Sequence, residues 1–502
     1  MDKIWLAQAI AGLLNSELPS DIAEDYLFTG LFTDSRYPVK GGLFVPLCGE
    51  RFNGHKFVES ALEGGAAGAL WSKKEAGALE VPTTYRDRII FVDSGLQAYL
   101  SLSGYYKDCC GVKVVGITGS VGKTTTKDFT KAILSRKYRV GATLANHNNE
   151  VGFAQTLLSL TKESQWAVVE MGMRARGEIG RLAKIAQPQV SIITTIGESH
   201  LERLGTRREI ALAKAELLDY SSPKGVAILP ADSDFYELLC EHALGKRVSF
   251  GLSNPQATWR LLAAQEEISL GDWADNSGWR RFVWGQKVRF TCPEGEKELF
   301  LPVPGRHNCA NMLAALAASY EVGLSVEEAA QGLASCTLTG KRLEIEMAPD
   351  GTILIDDSYN AAPSSVKAAL ALLAQLPNLA TEAQCLAPIK RESSHPDRRQ
   401  QRIAILGDML ELGSNERLMH EEVGALCASL GIDILIGVGQ LSRYMVDRAL
   451  EQGLKAVWAS DYEEALVKLN TLRRPGDYLL VKASHSLNLS ALAQKIRAAY
   501  VV

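Results

Sequence analysis

"GITGSVGKTTTKDF", residues 116–129, is the stretch whose reading decides the fold. It is close to a phosphate loop, yet in the usual pattern G-x-x-x-x-G-K-[ST] the first glycine stands five residues before the second. Here Ile117 holds that place, and the glycines fall at Gly116, Gly119 and Gly122. The context is nevertheless right. The β-branched run "VKVVGITG" reads as a strand entering the loop, and Phe129, Ala132 and Ile133 follow at the spacing of a buried helical stripe. Phosphate binding needs inward backbone N–H groups, a helix N-terminus and a cation. Gly119 and Gly122 free the backbone, with Ser120 and Val121 between them. Lys123 supplies charge, the Thr124 hydroxyl is placed to ligate Mg²⁺, and Thr125 continues the first turn.

Working outward, 502 residues exceed what one hydrophobic core organises, so several domains are expected. Hydrophobic residues at 46% and charged residues at 22% are values of a soluble globular chain. A net charge of -4 gives no basic field for a long nucleic-acid footprint. Nine scattered cysteines, with Cys109 and Cys110 adjacent and no C-x-x-C, signal neither a disulfide framework nor a zinc site and suggest a reducing compartment. The start, "MDKIWLAQAIAGLLN", reads as an amphipathic helix with Leu6, Ile10 and Leu13 on one face rather than as a secretory signal. No run of 18 apolar residues occurs, so no membrane span is expected.

Further apolar runs, "WAVVEMG" and "VSIITTIG", read as strands buried on both faces of a parallel sheet. Period-2 stretches between about 245 and 303, such as "RRFVWGQKVRFTC", suggest a small antiparallel meander decorating the central domain. From about 340 the alternation restarts with "TILIDDSYN", "RIAILGDM", "DILIGVG" and "DYLLVKAS", each followed by a helical segment, which predicts a second doubly wound unit. The polar stretch 381–401 reads as a surface loop interrupting it.

Other places along the chain carry candidate chemistry. Glu170 closes an apolar strand at the edge where doubly wound sheets bind ligands, and a carboxylate there can hold Mg²⁺. His200 follows another strand and Lys214 lies in a helical stretch; on the residues alone, the first reads as structural and the second as a solvated lysine. In "GRHNCANMLAALAAS", Asn308 reads as a helix cap, and the aspartates of "IDDSYNAAP" read as a turn or cap at a strand end.

The spacing G-x-T-G-x-x-G-K-T resembles the loop of the muramyl ligases and of their folylpolyglutamate synthetase relatives, which form amide bonds through an acyl phosphate. The resemblance extends over essentially the whole chain. It implies three α/β domains: a UDP-sugar-binding domain at 1–109, a central P-loop ATPase domain with a doubly wound parallel sheet at 110–338, and a Rossmann-like domain at 339–502. It also implies ATP and two Mg²⁺ as cofactors. Thr124, Glu170, His200 and a carbamylated Lys214 are the residues it assigns to the metals. His307, Asn308 and Asn311 resemble the adenine-binding stretch, with Asn311 facing the base. Arg342 in "LTGKRLEI" maps to the phosphate-approaching arginine, and Asp357 to the ribose-contacting aspartate.

"DDSYNAAP", "ANHNNEVG" and "LGDMLELG" are similar to the branch of the family that adds D-alanyl-D-alanine to a UDP-N-acetylmuramoyl-tripeptide. That branch implies Asn149 and Asn360 as substrate contacts, and "FTDSRYPVKGG" implies Ser35 and Arg36 beside the uridine diphosphate. Ala362 departs from the family's second asparagine, and Ala483 and His485 depart from its K-G-S-R loop, while Lys482 is kept. The competing readings are another muramyl ligase or a folylpolyglutamate-type ligase, and a P-loop switch ATPase. The expected partners are small molecules only, handled by a cytoplasmic monomer.

Overall fold

The computed structural model describes residues 5–49, 52–144, 147–274, 278–339, 343–382, 400–410, 412–484 and 487–499. Its packing divides into two compact units, one made of 1–115, 138–172 and 180–188, the other of 116–137, 173–179 and 189–502. No helix among the described residues is long and apolar enough to cross a membrane.

In the first unit, four short parallel strands stand in the order Leu31–Phe32, Leu43–Phe44, Gly68–Trp71 and Ile89–Phe91. Phe32, Phe44, Val58, Leu62, Ala69 and Trp71 fill the core beside them. The first helix is Ala7–Leu14, and its buried side is Ala7, Ile10 and Ala11. The expected stripe is therefore displaced: Leu6 is the N-cap, the buried face runs through Ala7, Ile10 and Ala11, and Leu13 stays 38% exposed. Strand Val140–Ala142 pairs in parallel with Trp166–Glu170, whose five residues are all buried.

In the second unit, Val190–Ile193, Val226–Pro230 and Lys246–Gly251 are parallel neighbours, and the last pairs with the start of Trp259–Ala274. That long strand folds back antiparallel on Arg280–Cys292, which takes Gly295–Leu301 on its other side. The meander expected near 245–303 is thus present, though it does more than decorate. Arg280 and Arg281 pair with Met347 and Glu346 of strand Glu344–Met347, which is antiparallel to Ile353–Asp356. From there the sheet is parallel: Ile353–Asp356, Tyr478–Lys482, Arg402–Gly407, Ile434–Val438 and Lys455–Ala459. The last of these and the antiparallel strand Glu344–Met347 were not read from sequence.

Successive residues of these strands point to opposite faces, so the sheet carries two cores. Ile353, Ile355, Ala404, Leu406 and Leu480 lie in one; Leu354, Ile403, Ile405, Leu479 and Val481 lie in the other. Trp284 of the hairpin is packed into the first core and Trp279, just before its second strand, into the second, each 2% exposed. The helix Pro363–Glu382 enters the segment expected to interrupt the domain, and 383–399 lie outside the described residues.

Candidate functional site

The sequence puzzle of the loop has a steric answer. Ile117 is fully buried within strand Lys113–Thr118, so the chain is still in the sheet where the common pattern would already turn. Gly119 has φ +153, and a Cβ there would lie 1.9 Å from Thr194 Oγ1; Gly122 has φ +87, and its Cβ would lie 2.2 Å from Asn311 Oδ1. Both positions need glycine for the backbone angle and for the close approach.

The threonine pair after strand Val190–Ile193 holds the loop. Ser120 N–H donates to Thr195 O at 2.9 Å, Val121 N–H donates to Thr195 Oγ1 at 3.0 Å, and Thr194 Oγ1 donates to Val121 O at 2.5 Å. Gly197 N–H donates to Ser120 Oγ at 2.9 Å. Lys123 folds back so that Nζ donates to Gly119 O at 2.8 Å, a pose that gathers its charge over the loop. Helix Lys123–Leu134 starts directly from Gly122, which has no side chain to cap it, so the dipole of its first turn faces the loop. Thr124 and Thr125 are both buried in that turn. The roles of Thr194 and Thr195 were not read from sequence, although two hydroxyls at a strand's C-terminal end beside a phosphate loop are a usable signal.

Lys214 overturns its bland reading. It is 1% exposed in helix Arg207–Asp219, and no hydrogen bond or ion pair to it occurs among the described residues. Burial, and next the charge of Lys123, hold its ammonium well below the usual lysine range. The neutral amine, which is the nucleophilic form, is therefore easier to reach here than at an exposed lysine. His200 takes the left-handed conformation, φ +68, as N-cap of the turn Leu201–Leu204. Glu170, in the first unit, is 1% exposed at its strand end and accepts from Asn148 Nδ2 at 2.8 Å. Among the described residues, no three His, Cys, Asp or Glu side chains converge closely enough to hold a metal. The Thr124 hydroxyl and the Glu170 carboxylate are each oxygen donors of the kind a hard cation takes.

Helix Arg306–Glu321 meets the phosphate loop through Asn311. Its Oδ1 accepts from Thr126 Oγ1 at 3.3 Å, and its Nδ2 donates to Asn308 Oδ1 at 3.1 Å. Asn308 Nδ2 donates to Pro304 O at 2.7 Å, so this side chain fastens the turn before the helix. His307 is depressed by desolvation above all, with Asp357 opposing and Lys482 adding to the drop; its exposed face limits how far that goes.

The two aspartates after strand Ile353–Asp356 divide their work. Asp356 is fully buried and binds Arg497 Nη1 at 2.9 Å and Ser358 Oγ at 2.6 Å, a structural role. Asp357 takes Lys482 Nζ at 2.6 Å, and the same ammonium donates to Asn360 O at 2.9 Å. Ala362, where an asparagine was expected, offers its N–H to Ser365 Oγ at 3.0 Å. Ala483 is fully buried. Arg342 and His485 lie outside the described residues.

In the first unit, Arg36 makes a forked pair with Asp34, the shortest contact 2.6 Å, and Ser35 sits half-buried between them. Asn149 caps helix Glu150–Leu158 by accepting from Gly152 N–H at 2.9 Å.

The Mur ligase middle domain matches residues 117–319, and the Mur ligase, glutamate ligase domain matches 341–485. The chain is 34% identical, over 491 residues and 97% of each chain, to the UDP-N-acetylmuramoyl-tripeptide:D-alanyl-D-alanine ligase of Bacillus subtilis (strain 168). The Escherichia coli (strain K12) ligase of the same name is 32% identical over 88% of this chain and 87% of its own. The crystal structure of MurF from Acinetobacter baumannii superposes with a TM-score of 0.81, at 29% identity, over 98% of this chain and 99% of that one. This chain belongs to the Mur ligase family.

Proposed function

We propose that this Mur ligase joins D-alanyl-D-alanine to a UDP-N-acetylmuramoyl-tripeptide with cleavage of ATP to ADP and phosphate, a step in peptidoglycan synthesis. The observation that carries the reading is the cradled loop Gly119–Thr124 together with Lys214, a lysine buried in its helix and within the field of Lys123. The substrates follow from the relatives, whose names specify them and which this chain matches from end to end.

In the first half-reaction a carboxylate oxygen of the tripeptide attacks the γ-phosphorus. The O–P bond forms, the bond to ADP breaks, and an acyl phosphate results. The amine of D-alanyl-D-alanine then attacks the acyl carbon; the C–N bond forms, the C–O bond breaks, phosphate leaves and the amine's proton passes to solvent. Phosphoryl transfer is governed by positioning and charge neutralisation. Lys123 and the first-turn N–H groups supply fixed positive potential where charge develops. Asn311, tied to Thr126 and Asn308, sets the base against the loop. Asp357, paired with Lys482 Nζ at 2.6 Å, is assigned to the ribose hydroxyls, and Arg342 to the phosphates.

Mg²⁺, when bound, neutralises phosphate charge and polarises the γ-phosphoryl group. Thr124, Glu170 and His200 are the residues assigned to it, with Lys214 as its carbamate: the neutral amine adds to CO₂ and loses a proton, giving the hard oxygens that an ammonium lacks. Ser35, Arg36, Asn149 and Asn360 are assigned to the UDP-tripeptide and dipeptide. Substrates of this kind suit a cytoplasmic monomer. The test is phosphate release with ATP, UDP-tripeptide and D-alanyl-D-alanine, each omitted in turn. Release must need all three; a steady ATPase without the other two would leave a switch ATPase as the better reading.

A further inference from the structure

The hairpin of Trp259–Ala274 and Arg280–Cys292 reaches the start of the proposed base-binding helix through one residue. Gly305, the residue before helix Arg306–Glu321, has both of its backbone groups held by hairpin side chains. Glu266 Oε1 accepts its N–H at 3.1 Å. Gln286 Nε2 donates to its carbonyl at 3.0 Å and to Val303 O at 2.9 Å. Gln286 is 1% exposed, and its Oε1 accepts the Cys309 thiol at 3.3 Å, one turn into the helix.

Such a hold is needed. Gly305 has φ +91, and a Cβ there would lie 2.7 Å from the His307 ring, so the chain turns tightly just before the helix that carries His307. The remaining oxygen of Glu266 accepts the Trp284 indole N–H at 3.2 Å. Trp284 sits in the core with Ile345, Met347, Ile353 and Ile355. One carboxylate therefore joins the start of the base-binding helix to the seating of the C-terminal sheet.

We propose that Glu266 and Gln286 are positioning residues for the purine nucleotide. They fix the start of the helix that carries His307, Asn308 and Asn311, and Glu266 makes that setting depend on the docking of Trp284. This rests on the proposed function only in taking that helix as the base site. Because Asn311 also touches Gly122 and Thr126, a shift of the helix start is felt at the phosphate loop.

The test uses the full-length enzyme and measures KM separately for ATP, UDP-tripeptide and D-alanyl-D-alanine. Wild-type release that requires all three substrates checks the proposed function independently. Glu266→Gln has one acceptor oxygen for two donors, so KM for ATP should rise about tenfold, with kcat and the other two KM values held within about twofold. Trp284→Phe keeps an aromatic ring in the core while removing the donor and some volume; alone it should raise KM for ATP about threefold. Combined with Glu266→Gln it should bring KM for ATP back toward wild type, because the amide oxygen then serves Gly305 alone. Should Glu266→Gln fail to fold, Trp284→Phe carries the test. An unchanged KM for ATP, or a parallel rise in all three KM values, overturns the proposal.

Discussion

Asp128 grips Thr339 from 211 residues away: its two carboxylate oxygens accept the Thr339 N–H and hydroxyl, both at 2.7 Å. Lys127 Nζ completes the clasp, 3.0 Å from Asp128 Oδ1 and 3.3 Å from Thr339 Oγ1. The helix that begins at the phosphate loop thus holds the segment leading into the C-terminal sheet. Asp128→Ala leaves a buried ammonium beside a missing carboxylate and should cost about 3 kcal/mol. Thr339→Val loses one hydroxyl contact and should cost about 1 kcal/mol. Denaturant midpoints read both, and equal costs would contradict the clasp.

Lys123→Ala should keep the fold, because its ammonium lies at the loop surface of the helix start, donating to Gly119 O, and not in an apolar core. Turnover should fall about 10²-fold or more, the scale of losing one preorganised stabiliser of developing charge. Circular dichroism with steady-state phosphate release checks both halves, and unchanged release removes the phosphate-loop assignment.

Gly122→Ala places a methyl group where Asn311 Oδ1 now lies, 2.2 Å from the ideal Cβ. The asparagine has to swing away from Thr126, so base and phosphate contacts fail together. ADP affinity measured by calorimetry should drop about 10-fold or more, and an unaltered affinity would mean that the loop tolerates the bulk.

Lys214→Ala should abolish activity, while short-chain carboxylic acids added to the assay restore part of it by supplying oxygens in the vacated space. A buried alkyl amine that serves packing alone would show no such rescue. Near-normal turnover without added acid would return Lys214 to a purely structural role.

His420 predicts a pH effect on stability. Its Nδ1–H donates to Glu416 O at 2.6 Å and its Nε2 accepts from Met409 N–H at 3.0 Å, so both nitrogens serve a neutral ring. Burial lowers its pKa, opposed by the Glu416 carbonyl and the charges of Asp408 and Glu416. Since the folded value lies below the unfolded one of about 6.5, the contribution is complete above that pH and is lost as pH falls through the folded value. The stability gap between wild type and His420→Gln should therefore narrow on acidification, and a gap that widens contradicts the assignment.

The strands were legible because parallel sheets bury both faces, leaving near-continuous apolar runs such as those around Val168 and Ile192. Phosphate-loop chemistry was legible for a related reason: its residues are contiguous, so spacing is geometry. Asp128 with Thr339, and Glu266 with Gly305, are contacts between distant segments and leave no local pattern. Lys214 was misjudged on its charge, although Ala211, Ala213 and Ala215 around it are small residues of a helix packed on nearly every side. The first helix shows the opposite error, an apolar spacing taken literally when the buried face runs through Ala7, Ile10 and Ala11 and leaves Leu13 38% exposed.

The two indoles that the hairpin lodges in the C-terminal sheet decide where the polypeptide can be cut. A fragment beginning at residue 340 would lack Trp279 and Trp284, baring Ile345, Met347 and Leu354, which they now cover. A fragment ending at residue 339 would carry both rings into water. Each piece would present a sticky apolar surface and should self-associate when made alone. Mixed together, the halves have matching surfaces through which they can find each other again.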